Sequence, residues 1–379
     1  MKIIIAPDSF KGSLSAVEAA AAIGKGVNKA FSEAEAVLLP IGDGGEGTME
    51  TLVAATGGKL KTVSVTGPLG NKVEAAYGVL GDGKTCVIEM AAASGLHLVP
   101  DAKLAPLKTT TFGTGELIRE ALDDGFSSFI VGLGGSATND GGAGMLQALG
   151  LRICNNGGEE IGPGGGELEK VSGLDFTKFD ERISRSRFVI ASDVENPLIG
   201  PNGASHIFGP QKGASPEDVE SLDRSLTNWA DRILEATGME LHNRPGAGAA
   251  GGIGGAFQAF FPAELKRGID VVLDYTGLDG HLQEADLVIT GEGKVDRQTA
   301  FGKTALGVAQ RAKRSNVPTI ILAGSVGKGT DVLHEHGVVS IHSIINSPMA
   351  LQEAMQNAAE LLEDSTEQIV RTYFHRYTM

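Results

Sequence analysis

The chain has 379 residues, of which 41% are hydrophobic and 21% charged, so it can bury a full core and is excluded from the disordered class. At roughly 100 to 200 residues per domain, this length predicts two domains with a cleft. A formal net charge of −15, with no basic stripe along the sequence, argues against nucleic acid and anionic membrane surfaces as partners.

The opening MKIIIAPD is a short apolar run that meets Pro7 and Asp8, too brief for a signal-peptide core or a membrane span, which places the protein in the cytoplasm. Ile3 to Ala6 reads as a strand, Leu14 to Lys29 as a helix, Ala36 to Pro40 as a strand and Glu46 to Thr56 as a helix. The next runs, Thr62 to Val65, Val73 to Val79 and Thr85 to Glu89, are closely spaced and joined by PLGN and GDGK turns, the pattern of an antiparallel meander. Strands then follow at Phe129 to Gly132 and Phe188 to Ser192. The opening rhythm returns with strands at Leu287 to Thr290, Thr319 to Ala323 and Val339 to Ser343, and with helices at Thr304 to Ser315, Thr330 to His336 and from about Ala350. The expected architecture is α/β. A flavodoxin-like, doubly wound parallel-sheet domain (residues 1–60 plus 280–379) is interrupted by a second α/β domain with a mixed sheet (61–279).

Several apolar strands run into an acid: Asp8, Asp43, Asp193 and Glu292. The carboxyl ends of strands line ligand crevices in open α/β sheets, and carboxylates gathered there suit a divalent cation that carries a nucleotide. Any one of them could equally cap the helix that follows. Glycine is the compositional outlier, with 54 residues and no collagen-like period. GLGGSATNDGGAG, from Gly132 to Gly144, follows a strand and precedes the helical run MLQAL, so its N–H groups could surround an anion. Ser136, Thr138 and Asn139 add uncharged donors there, and Lys212 in GPQKG would add a cation. Lys11, Lys294, Arg297 and Lys303 also lie in turns or glycine-rich segments beside the acids, where a solvated surface position is the alternative.

Other chemistries fit poorly. Gly302, Lys303 and Thr304 lack the earlier glycine of a P-loop, since position 297 is Arg. Gly246, Gly248 and Gly251 match GxGxxG, and Gly132, Gly134 and Ala137 match GxGxxA; only the second set follows a strand, which leaves a hydroxy-acid dehydrogenase as a rival reading. The histidines form no HExxH set, and Ser9 and Ser94 lack a Gly-x-Ser-x-Gly setting. Cys86 and Cys154 make no zinc pattern and are expected as buried free thiols.

In order, APDSFKGSLSA, GDGGEGT, VTGPLG, IEMAAASGL, GTGEL, GLGGSATNDGGAG, SDVENPLIG, FGPQKGA, GAGAAGG and ITGEGKVDRQT resemble the two-domain bacterial glycerate kinases, close to the glycerate 2-kinases. The resemblance covers nearly the whole chain, with small departures such as GEGKVD in place of GEGRID. It implies phosphorylation of (R)-glycerate by ATP with Mg²⁺, at the 2-hydroxyl, in a cleft between a flavodoxin-like domain and an inserted one. On that basis Gly134, Gly135, Ser136, Thr138, Asn139, Asp140, Gly141 and Lys212 are expected to hold the ATP phosphates, and Asp43, Asp193 and Glu292 the Mg²⁺. Asp8, Ser9, Lys11, Lys294 and Arg297 are expected around glycerate, with Lys11 among the catalytic groups and Asp193 or Asp296 as the base. A 3-phosphoglycerate-forming kinase and a non-catalytic hydroxy-acid-binding protein are the other readings.

Overall fold

A computed structural model describes residues 1–42, 44, 45, 47–297, 299 and 304–375. Contacts within the chain divide it into two compact units. Unit 1 comprises Met1–Asp43, Glu50–Gly57 and Ile269–Met379; unit 2 comprises Gly44–Met49 and Gly58–Gly268.

Unit 1 begins with β1 (Lys2–Ile5), whose three consecutive isoleucines are fully buried, as expected of β-branched residues covered on both faces. The helix Ala16–Ala30 starts at a capping box. Ser15 Oγ accepts from Glu18 N at 3.2 Å, while the Glu18 carboxylate accepts from Ser15 N at 2.8 Å. β2 (Glu35–Leu38) follows and pairs in parallel with β1.

Unit 2 opens with β3 (Lys59–Thr66), β4 (Lys72–Val79) and β5 (Thr85–Glu89), consecutive and antiparallel, as the turn chemistry predicts. β6 (Ser128–Gly132) then pairs in parallel with β5. After a small hairpin of β7 (Arg152–Cys154) and β8 (Gly173–Asp175), β9 (Arg187–Ala191) and β10 (Ala263–Lys266) complete a mixed sheet in the order β10-β9-β6-β5-β4-β3. The Phe129 and Phe188 rings stack across β6 and β9 with centroids 4.6 Å apart, at the centre of this unit's core. The hairpin, β10 and the long helix Pro216–Thr237 go beyond the sequence reading.

The chain returns to unit 1 with β11 (Leu287–Val295), β12 (Thr319–Val326) and β13 (Val338–Ser343). The sheet order is β13-β12-β11-β1-β2, and every pair is parallel. Counted along the chain within this unit, the order is the flavodoxin-like one, with the topological switch between β1 and β11. Two details differ from the sequence expectation. β11 and β12 continue past Thr290 and Ala323, and Thr330 to His336 is not an α-helix but a tighter 3₁₀ segment, Asp331–His336. The helices Leu351–Gln356 and Ala358–Tyr373 close the unit, and no helix among the described residues is long and apolar enough to cross a membrane.

Candidate active site

In unit 1 two of the expected strand-end acids, one following β1 and one within β11, lie at the switch point. β1 ends just before Asp8, whose carboxylate is buried and accepts from the Ser9 amide at 2.6 Å and the Thr304 hydroxyl at 2.5 Å. Thr304 is the first residue of the helix Thr304–Arg314, so the acid sits against a helix N-terminus. Glu292, within β11, is also buried and accepts from the Thr299 hydroxyl at 2.8 Å. The Asp296 amide donates to that same hydroxyl at 3.2 Å, and the Asp296 carboxylate pairs with Lys294 at 3.0 Å. Thr299 thus ties the Asp296 turn to Glu292. Asp8, Ser9, Lys11, Glu292, Lys294 and Thr304 form the polar half of a cleft of about 760 Å³ that lies wholly within this unit. Lys11 and Lys294 are exposed at it, and Arg297 is exposed on the turn that follows β11.

Asp43 and Lys303 lie outside the described residues. Among the described residues no three His, Cys, Asp or Glu side chains converge as a metal cluster. Asp193 and Glu292, both expected at the metal, belong to different units.

In unit 2 the glycine loop, expected at the ATP phosphates, is mostly buried. Only its tip, Gly134 and Gly135, is exposed; Ser136, Thr138, Asn139, Asp140 and Gly141 are buried. Asp140 accepts from the Thr111 amide at 2.8 Å, the Thr111 hydroxyl at 2.9 Å and the amides of Gly142 and Gly144 at 3.2 and 3.3 Å. Burial pushes its carboxyl above the ordinary carboxylate value, and these donors pull it back. Lys212 has its ammonium inside the loop, donating to Ser136 Oγ at 2.7 Å and Thr138 O at 2.6 Å. Burial lowers its pKa to about 7, against the opposing pull of the Asp140 charge. Asn139 Nδ2 donates to Ser205 Oγ at 2.9 Å. Lys212 and Asp140 both hydrogen-bond the loop from within. Gly141 is required by packing. Its φ is +60°, and a Cβ there would stand 2.4 Å from Trp229 Cδ1, while Trp229 Nε1 donates to Gly141 O at 3.0 Å.

At the carboxyl edge of unit 2's parallel strands, Asp193 follows β9 and accepts from the Gly268 amide at 3.1 Å. Glu89, the last residue of β5, accepts from the Met49 amide at 2.8 Å. It is a further strand-end acid that the sequence reading passed over, although the run TCVIE carries the same signal as IIIAPD. Thr299 and Thr304 were also missed, because a threonine after a turn carries no mark of the acid it serves.

Comparison with known proteins covers the whole chain. The profile of the "Glycerate kinase family" matches residues 3–374. A glycerate kinase of Bacillus subtilis (strain 168) is 51% identical over 97% of both chains, and a glycerate 2-kinase of Escherichia coli (strain K12) is 50% identical over 98% of both. A crystal structure assigned as a glycerate kinase 2 from Salmonella typhimurium LT2 superposes with a TM-score of 0.91, at 48% identity and full coverage of both chains.

Proposed function

Because the chain belongs to the glycerate kinase family, we propose that it transfers the γ-phosphoryl group of ATP to the 2-hydroxyl of (R)-glycerate, giving 2-phosphoglycerate and ADP. The observation that carries the reading is the pairing of buried acids, Asp8 and Glu292, with Lys11 and Lys294 in one cleft at the switch point of a flavodoxin-order sheet. Acids alone would repel two anionic substrates, and cations alone could not accept a proton.

The hydroxyl oxygen of glycerate attacks the γ-phosphorus, the bond to the β,γ-bridging oxygen breaks, and that oxygen departs with ADP. The hydroxyl proton passes to a carboxylate, for which Asp193 and Asp296 are the candidates. Lys11 and Lys294 stabilise charge as it builds on the phosphoryl oxygens, and Lys11 with Arg297 grips the glycerate carboxylate. Asp8, held by Ser9 and Thr304, orients the acceptor hydroxyl. Mg²⁺ takes one or two carboxylates besides phosphate and water, a demand that the hard oxygen donor Glu292 fits, with Asp43 and Asp193 as further candidates. When bound, it would neutralise phosphate charge. In unit 2, Gly134 and Gly135 are exposed on their loop and are its proposed anion contacts. The discontinuous unit 1 and the inserted unit 2 are the proposed domains of the enzyme, working in the cytoplasm.

The test is ³¹P NMR of the protein with ATP, Mg²⁺ and D-glycerate. A growing 2-phosphoglycerate resonance supports the reading, a 3-phosphoglycerate resonance corrects the position, and no phosphorylated product overturns it. Asp193→Asn and Asp296→Asn then identify the base, whose loss lowers kcat with little change in KM; near-normal kcat in both removes both.

A further inference from the structure

The cleft of unit 1 is far larger than a three-carbon acid needs, and half of it is apolar. Besides the polar residues it is lined by Ile344, Ile345, Met349, Leu351, Ala354 and Met355, from the segment after β13 and the helix Leu351–Gln356. A hydroxy acid offers these side chains almost no carbon to bury. Leu351, which also lines this cleft, is 77% exposed, the most exposed large hydrophobic residue among the described residues. The wall is fixed in place, since Ser13 Oγ, itself on the cleft, donates to Met355 O at 2.6 Å.

Resting on the kinase reading above, we infer that this apolar half takes the purine base of the donor nucleotide, with the phosphates running toward Lys11 and Lys294. The same cleft is lined by aliphatic side chains and by the Lys11 and Lys294 ammonium groups, and a nucleotide joins a flat, weakly polar base to an anionic tail. Met349 and Met355 supply flexible, polarisable thioethers that adapt to an aromatic edge, and Ala354 leaves the room a ring requires. A volume of about 760 Å³ is within the range of sites that enclose a ligand of this size. The position at the carboxyl ends of β1 and β11 is where doubly wound sheets hold mononucleotides.

The test measures binding without chemistry. Isothermal titration of wild-type protein, Ala354→Trp and Leu351→Gln with MgADP is compared with competition by inorganic tripolyphosphate, which has no base. Ala354→Trp fills the half-buried wall and should weaken MgADP at least about tenfold, and the neutral Leu351→Gln about threefold. Tripolyphosphate binding and KM for glycerate should stay within about twofold of wild type in both. Unchanged MgADP affinity in both variants overturns the inference, as does parallel weakening of ADP and tripolyphosphate. If Ala354→Trp proves unstable on thermal melting, Leu351→Gln decides, because an exposed position carries little of the fold. Failure of the kinase reading is seen separately, as wild-type protein that forms no phosphoglycerate.

Discussion

Lys212 gives a prediction whose size and sign follow from its surroundings. Burial moves it from an ordinary 10.5 to about 7, a displacement worth about 5 kcal/mol at about 1.4 kcal/mol per decade of proton affinity. Below pH 7 the folded and unfolded chains both carry the proton, so the full cost of the buried charge is present. Between about pH 7 and about 10.5 the unfolded chain holds the proton and the folded one does not, so stability rises with pH; above that window the cost is gone. Lys212→Met has no such titration. From about pH 7 to about pH 9 the wild-type protein should gain about 2 kcal/mol relative to Lys212→Met. Urea unfolding followed by tryptophan fluorescence reads this directly, because the single tryptophan, Trp229, donates to Gly141 O in the same loop. The loss of the Lys212 hydrogen bonds shifts the variant's stability at every pH and leaves the slope untouched. Parallel pH profiles for the two proteins would refute the argument, since they would mean a lysine that titrates as if solvated.

Two further predictions concern named contacts. Gly141→Ala forces a Cβ against the Trp229 indole at a left-handed φ, and should destabilise unit 2 by about 3 kcal/mol, read as a lower urea midpoint and altered tryptophan emission. An unchanged midpoint would mean that the loop does not rest on Trp229. Thr304→Val removes the hydroxyl that donates to Asp8 and should lower kcat/KM for glycerate about tenfold or more, while Thr304→Ser restores it. Full activity in the valine variant would take Asp8 out of substrate positioning.

The architecture of unit 1 was legible because its strands are β-branched runs separated by helices of ordinary period, so the alternation fixes a parallel, doubly wound sheet. Where strands end was less legible. In GEGK and AGSV the glycines read locally as turns, yet β11 and β12 run through them. A Cβ on Gly291 would meet Leu322 O at 2.3 Å, and one on Gly324 would meet Gly293 O at 2.6 Å, so these glycines serve the close approach of neighbouring strands. The same ambiguity governs the site. Asp8 and Glu292 stand out as acids that end apolar runs. Nothing near Gly141 in the sequence announces an indole 88 residues away, so glycines that serve packing look like glycines that serve a ligand. That Lys212 is buried against Ser136 and Thr138 is equally illegible locally, because those partners are 76 and 74 residues distant.

The discontinuity of unit 1 also sets a timetable for synthesis. The Lys2 amide finds its Asp286 partner 284 residues later, and β1 has only β2 beside it until β11 emerges. At about 5 to 20 residues per second, this interval lasts about 15 to 60 s, during which the inserted unit can be completed and fold by itself. Throughout that time the KIII strand offers an open isoleucine edge, the kind of surface that a neighbouring nascent chain or a chaperone would engage first.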